Sequence, residues 1–166
     1  MLPEIYLVAA DLPGNLFIMP CPTGDHLTRD IDAYRTRGLD TVVSMLPVEE
    51  AAMLGLGSEE ATCARAGIIF LSSPIRDFGL PEIVVFDALV QQIADMLRDG
   101  KHVAVHCRAG IGRSGMATAA TLIALGLDAG SAVRQVTQAR GGSIPDTVEQ
   151  GRFIADYEVR SLSNNT

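Results

Sequence analysis

Cys107 and Arg113 stand six positions apart in the stretch Val103–Gly115, with Gly110 and Gly112 between them and His106 directly before the thiol. The apolar run Val103–Val105 has strand character and the residues from Ser114 onward read as a helix, so the stretch between them is a strand-to-helix loop. A loop of this kind can aim successive backbone N–H groups and a helix N-terminus at one place, and a guanidinium at its close adds a full charge. The concavity suits a tetrahedral oxyanion such as phosphate, with the Cys107 sulfur beneath it as nucleophile.

Each residue type has a chemical reason to be there. Only a thiolate attacks, and a free thiol with a pKa of about 8.5 is mostly protonated at neutral pH. The helix end and Arg113 both favour the charged sulfur. Glycines at 110 and 112 permit backbone conformations that a side chain would block. Arg113 offers a planar two-oxygen grip that lysine lacks. Ser114 can donate its hydroxyl to the sulfur and so ease its departure from phosphorus. The commonest fate of a cysteine is to be an ordinary buried thiol, and the neighbours of Cys107 argue against that here.

The elements that must position this loop follow from periodicity and turn residues. Ile5–Ala10 and Leu16–Met19 flank the turn Asp11–Asn15 and read as a hairpin. Asp25–Arg37 has helical spacing and a glycine stop at Gly38. Asp40–Leu46 reads as a buried strand. Val48–Leu54 and Ser58–Arg65 read as short helices, the second capped by Ser58 with Glu59 and Glu60 in its first turn. A strand follows at Ile68–Leu71, then a long helix over Pro81–Arg98. Beyond the loop come an apolar helix (Ser114–Leu125), a second (Ala129–Arg140) capped by Asp128 or Ser131, and a last one from about Asp146 to Val159. Asp146 or Thr147 caps this last helix, and Ser161–Thr166 reads as a frayed polar tail. Strands alternating with helices predict an α/β fold whose central, mostly parallel sheet is covered on both faces, with the ligand crevice beyond the strands' carboxyl ends.

Composition narrows the function classes. The 166 residues, 48% hydrophobic and 20% charged, describe an ordinary globular chain. A net charge of −7 argues against broad electrostatic attraction to nucleic acid, yet leaves room for a small basic pocket at Arg108 and Arg113. The three cysteines at 21, 63 and 107 and the three histidines at 26, 102 and 106 form no recognisable ligand set, so no metal and no cofactor is expected. The odd cysteine count fits a reducing compartment. No secretory signal and no membrane-length apolar run is visible. The expectation is therefore a cytoplasmic protein without membrane association.

The loop pattern (His-Cys, five residues, Arg, then Ser) resembles that of the cysteine-dependent protein tyrosine phosphatases, and every fixed position is filled. The strand residues Val42–Leu46 and the run Ala66–Leu71 are similar to those of small bacterial-type dual-specificity-like members. The resemblance implies one such domain over residues 1–160, with 161–166 as tail, and a protein tyrosine phosphatase-like fold. It implies an enzyme that hydrolyses phosphomonoesters through a cysteinyl-phosphate, with phosphotyrosine on proteins first among its substrates and phosphoserine or phosphothreonine as further candidates. Residues 108–113 (Arg108, Ala109, Gly110, Ile111, Gly112 and Arg113) would bind phosphate. Asp77 lies 30 residues before Cys107 in Pro74–Gly79 and matches the family's general acid, which sits on a mobile loop; as a bare residue type it suits a loop cap equally. Gln150 corresponds to a family glutamine that helps place the hydrolytic water, or is an exposed helical residue; the Pro145-Asp146 insert departs from the commoner short form. Arg140 is a further candidate, or a structural charge partner. His106 is expected under the loop, bonded to backbone as a supporting residue. Arg108 is either a solvated rim residue or a sign of phosphoinositide or inositol phosphate substrates. An RNA 5′-phosphatase, a non-catalytic phospho-binding module and a rhodanese-like sulfurtransferase are the remaining alternatives. Oligomeric state is open.

Overall fold

The computed structural model describes residues 1–164. Five strands form one sheet in the order β1-β2-β5-β3-β4: β1 (Tyr6–Ala9), β2 (Leu16–Met19), β3 (Thr41–Ser44), β4 (Ile69–Ser72) and β5 (Val103–His106). β1 pairs antiparallel with β2, and the other neighbours run parallel. The predicted hairpin and mixed, mostly parallel sheet are both present.

Alternation along the strands divides the core in two, because successive side chains point to opposite faces. Leu16, Ile18, Val43, Val103 and Val105 face α4 (Ile83–Arg98), α5 (Arg113–Ala124), α6 (Ala129–Arg140) and α7 (Val148–Asn164). Phe17, Met19, Val42 and Ala104 face α1 (Leu27–Thr36) and α3 (Glu59–Arg65). A short α2 (Val48–Met53) follows β3. α5 packs against α4, α6 and α7 and is buried from Arg113 to Ile123, which explains its small residues. Thr118 and Thr121 turn their hydroxyls back to the Ser114 and Ala117 carbonyls, so they are buried without stranded hydroxyls.

Several helix ends differ from expectation. The first helix begins as a one-turn 3-10 helix at Gly24–His26. α4 starts at Ile83 rather than Pro81, because the Glu82 carboxylate caps it by accepting the Val84 and Val85 N–H groups. Ser58 makes no side-chain cap on α3. Asp128, not Ser131, caps α6. α7 starts at Val148 and continues through Asn164, so residues 161–164 are helical rather than frayed; residues 165 and 166 of the expected tail lie outside the described residues. No described helix is long and apolar enough to cross a membrane.

α7 is held on α4 by aromatic edges. Phe86 meets Phe153 at 5.1 Å and Tyr157 at 5.8 Å, both near perpendicular, and the Tyr157 hydroxyl donates to Asp87 at 2.7 Å. Phe86→Ala removes both ring contacts and leaves a cavity. It is expected to lower the unfolding free energy by about 3–5 kcal/mol, measured by urea denaturation; a loss below about 1 kcal/mol would show that this seam does not anchor α7.

Candidate active site

The four parallel strands end at one level, since Met19 and Ser44 both register with His106, and Ser72 with Ser44. The segments leaving those ends therefore meet. They carry Cys21 after β2, Glu50 on α2 after β3, Asp77 after β4 and Cys107 after β5. This is the crevice where open α/β sheets place their ligands.

Cys107 lies at the floor of the loop, 3% exposed, with Sγ 3.1 Å from Ser114 Oγ. The loop's carbonyls turn outward. Arg108 O accepts from Cys21 N at 3.1 Å, and Arg140 donates from Nε to Gly110 O and from Nη2 to Ala109 O. Among the described residues no protein acceptor takes the N–H groups of Arg108, Ala109, Gly110 or Ile111, which leaves them for an anion. Gly110 has φ +73°, and an added Cβ would run into the Met19–Pro20 backbone. Only glycine meets both conditions. Arg108 and Ala109 are exposed at the rim, Ile111 is half-buried, and Gly112 is buried at the N-cap position of α5.

Arg113 is 2% exposed and its fork is taken end-on by Glu50, with Nη1 to Oε2 at 2.7 Å and Nη2 to Oε1 at 2.9 Å. Nη1 also donates to Ile75 O, and Asp77 Oδ1 stands 3.2 Å from Nη2. The edge formed by Nε and Nη2 remains the one that can turn to an anion. Burial works against the Arg113 charge, but the Glu50 hydrogen bonds and the negative groups at Cys107 and Asp77 raise its pKa above the ordinary value. The same hydrogen bonds hold the Glu50 carboxyl below its usual range against partial burial. Asp77 is exposed and also accepts the Phe78 N–H. Phe78, at φ +59°, is a bulky residue in the left-handed region, a local strain in the loop that carries Asp77.

His106 is buried under the loop. Its Nδ1 lies 3.0 Å from Cys107 O and its Nε2 lies 2.7 Å from Glu59 Oε1, which is itself buried. A carbonyl oxygen only accepts, so Nδ1 carries a proton, and the Glu59 contact holds a further one on ring or carboxyl. Gln150 is fully buried. Its Oε1 accepts the Asp146 and Thr147 N–H groups and its Nε2 donates to Gly79 O at 3.2 Å. It ties the Asp77 loop to the start of α7, and one amide hydrogen has no protein acceptor among the described residues. Cys21 and Cys63 are the other free thiols, and burial pushes them up, to about 11 and about 12 respectively.

Glu50, Glu59 and the bracing role of Arg140 were missed in the sequence. Glu50 and Glu59 each sit beside a second acid in a first helical turn, where carboxylates commonly serve the helix dipole. Arg140 was seen but not connected to the loop.

The pairing of Glu50 with Arg113 sets a pH-dependent stability. Glu50→Gln is expected to lower the unfolding free energy by about 1–3 kcal/mol near neutrality. Because the folded-state carboxyl titrates below its unfolded value of about 4.3, this stabilisation is complete above that value. It is lost as pH falls through the lower folded-state value. Melting curves of the two proteins should therefore converge in strongly acidic buffer. A gap undiminished there would attribute the effect to shape instead of charge.

Comparison with known proteins agrees with this geometry. Residues 21–127 match the family described as "Polymorphic toxin system, DSP-PTPase phosphatase". The mouse protein tyrosine phosphatase domain-containing protein 1 is 29% identical over 119 residues, 66% of this chain and 16% of that protein. The chain thus spans about a sixth of the length of that relative. Among solved structures, Tk-PTP in its active form has a TM-score of 0.78 at 27% identity, over 96% of this chain and 99% of that one. Kinase-associated phosphatase, with its catalytic cysteine changed to serine, superposes at a TM-score of 0.88 over 98% of both chains; at 18% identity this speaks for the fold alone. With the matched span running through the loop and the strands β3, β4 and β5, the chain belongs to this polymorphic-toxin DSP-PTPase family, within the cysteine-dependent protein tyrosine phosphatase superfamily.

Proposed function

We propose that the protein is a cysteine-dependent phosphatase of phosphomonoesters, with phosphotyrosine on proteins as the leading substrate class and phosphoserine or phosphothreonine as further ones. Residues 1–160 form one catalytic domain in this reading, and the free thiols support residence in the reducing cytoplasm. The observation that carries it is the juxtaposition at the floor of the loop: a thiol 3.1 Å from a serine hydroxyl, beneath unpaired N–H groups, beside a buried guanidinium with Asp77 3.2 Å away.

In the first step the Cys107 thiolate attacks phosphorus. The loop N–H groups of residues 108–113 and the Arg113 fork hold the three equatorial oxygens, where transition-state charge spreads. Asp77 protonates the departing oxygen, leaving a cysteinyl-phosphate. Asp77, now a carboxylate, takes a proton from the water as its oxygen bonds to phosphorus, the P–S bond breaks with its electron pair returning to sulfur, and Ser114 donates to the emerging thiolate. Gln150 keeps the acid loop in register with α7 and has one N–H to offer that water. His106, anchored by Glu59, fixes the Cys107 carbonyl and so the direction of the thiol. The positive charge that stabilises the phosphoryl oxygens comes from Arg113 and the start of α5.

Cys107→Ser is expected to abolish turnover of p-nitrophenyl phosphate; activity near that of the wild type would remove the nucleophile assignment. Asp77→Asn is expected to lower kcat by about 10²- to 10³-fold while the inhibition constant of inorganic phosphate changes little. The loss should grow with poorer leaving groups. Equal losses for a nitrophenol and an alkyl alcohol would demote Asp77 from general acid. Parallel rates on phosphopeptides, phosphoinositides and an RNA 5′-phosphate decide the substrate class.

A further inference from the structure

On the face of the sheet covered by α1 and α3, the last residues of the strands form a row. His106 registers with Ser44 and Ser44 with Ser72, so their side chains share that face. Glu59 of α3 bonds to His106. Next to that pair α2 and α3 leave a gap, and a cavity of about 160 Å³ opens there, reaching Ser44 and Ser72. It has room for several water molecules. Leu46, Leu56 and Phe70 give it apolar sides, the Glu59 side chain stands at its inner wall, and Glu60 is exposed at its rim.

Two of the lining groups are buried and still have lone pairs to give. Glu59 is 2% exposed; its Oε1 meets His106 Nε2 at 2.7 Å, and among the described residues no protein group donates to Oε2. Cys21, Cys63 and Tyr34 lie within reach of the Glu59 charge and bring no cation to it, because burial and that charge raise their pKa values. Ser44 is 3% exposed, and its Oγ accepts one bond, from the Leu46 N–H at 3.3 Å, which leaves it a lone pair. No Lys, Arg or His lines the cavity. A space walled by two acids and two hydroxyls, with no cation of its own, is short of positive charge and of N–H donors.

We propose that this cavity is a binding site for a primary alkylammonium group, from a free aliphatic amine or a lysine side chain, and that it is coupled to the phosphate loop through Glu59 and His106. An ammonium has three donors and no acceptor. That set suits Glu59 Oε2 and the hydroxyls of Ser44 and Ser72, while the alkyl chain suits the apolar sides. The planar fork of a guanidinium fits less well, since it calls for both carboxylate oxygens and Oε1 is already taken. The coupling follows from the proton that Glu59 and His106 share. An ammonium on Oε2 favours Glu59 as a carboxylate, which leaves that proton on the ring behind the Cys107 carbonyl. An anion in the loop favours the same arrangement, so each ligand strengthens the binding of the other.

Titration of the isotope-labelled protein with n-butylammonium chloride at constant ionic strength, followed by NMR, reads the site through the amide signals of Ser44, Glu59, Glu60 and Ser72. Saturation with a Kd of about 1–10 mM is expected. n-Butanol lacks the charge and tetramethylammonium lacks the N–H donors, and each should bind at least about 10-fold more weakly. Equal binding of either one overturns the proposal, as does a response to the amine that never saturates. Glu59→Gln keeps the shape and removes the charge; Ser72→Leu fills the floor from the exposed edge strand. Each is expected to weaken butylammonium binding at least about 10-fold, and wild-type affinity in either variant, with its melting temperature showing it folded, overturns the site. Nα-Acetyl-lysine amide and 1,4-diaminobutane, titrated in parallel, separate a protein's lysine from a free amine, and the tighter ligand identifies the source. Saturating inorganic phosphate should tighten butylammonium binding about 5-fold; an unchanged Kd overturns the coupling. None of these measurements needs turnover, so inactivity on every phosphomonoester would overturn the phosphatase reading and leave this inference standing.

Discussion

Arg113 carries a full positive charge at 2% exposure, and the surrounding architecture makes that tolerable. Removing a guanidinium from water costs several kcal/mol unless charge and hydrogen bonds replace the lost solvation. Glu50 supplies the charge and two of the bonds, and the Ile75 carbonyl supplies a third. These partners occupy the end of the fork. Nε is thereby left without a protein acceptor, so the bond network that makes burial possible also fixes which edge of the guanidinium can meet an anion. An arginine free in solvent would have neither a fixed direction nor a dry setting in which its charge acts strongly.

The loop depends on the same logic of complementary satisfaction. A turn whose N–H groups all point inward strands its carbonyls outside, and these need donors. Arg140 provides two such bonds and the Cys21 N–H another. Beneath, the His106 ring links the Cys107 carbonyl to buried Glu59. The unpaired inner N–H groups are the deficit that an anion would fill. Tyr6 caps this support from outside, its ring 4.4 Å from the Arg140 guanidinium, a contact that favours a cation over an aromatic face.

The sheet sets what can meet. Placing β5 between β2 and β3 brings the segments after all three beside one another, and β4 adds the Asp77 loop at the edge. Glu50 lies 63 positions from Arg113 and 38 separate Ile75 from it. Those separations are crossed by strand pairing, not by local chain geometry. α7 returns after the loop to lay Gln150 and Asp146 against it, held there through Phe86, Phe153 and Tyr157.

What the chain declares by itself is local. The Cys107–Arg113 spacing, the two glycines, the strand before and the helix after are separated by less than a helical turn or two. Their chemistry therefore follows from residue type and φ/ψ freedom alone, and the alternation of apolar runs gives the α/β class. Asp77 was legible because it follows a strand and so must emerge at the same end of the sheet. Glu50, Glu59, Arg140 and the turn of the Asp146 carboxylate toward Gly112 were not. Each is an ordinary helix-end or loop charge by local pattern, and acquires its partner only when strand order and helix packing are set. The cap of α7 makes the point in miniature: sequence offers Asp146 and Thr147 as equals, and in the fold Thr147 Oγ1 accepts the Gln150 N–H while the Asp146 carboxylate lies against Gly112.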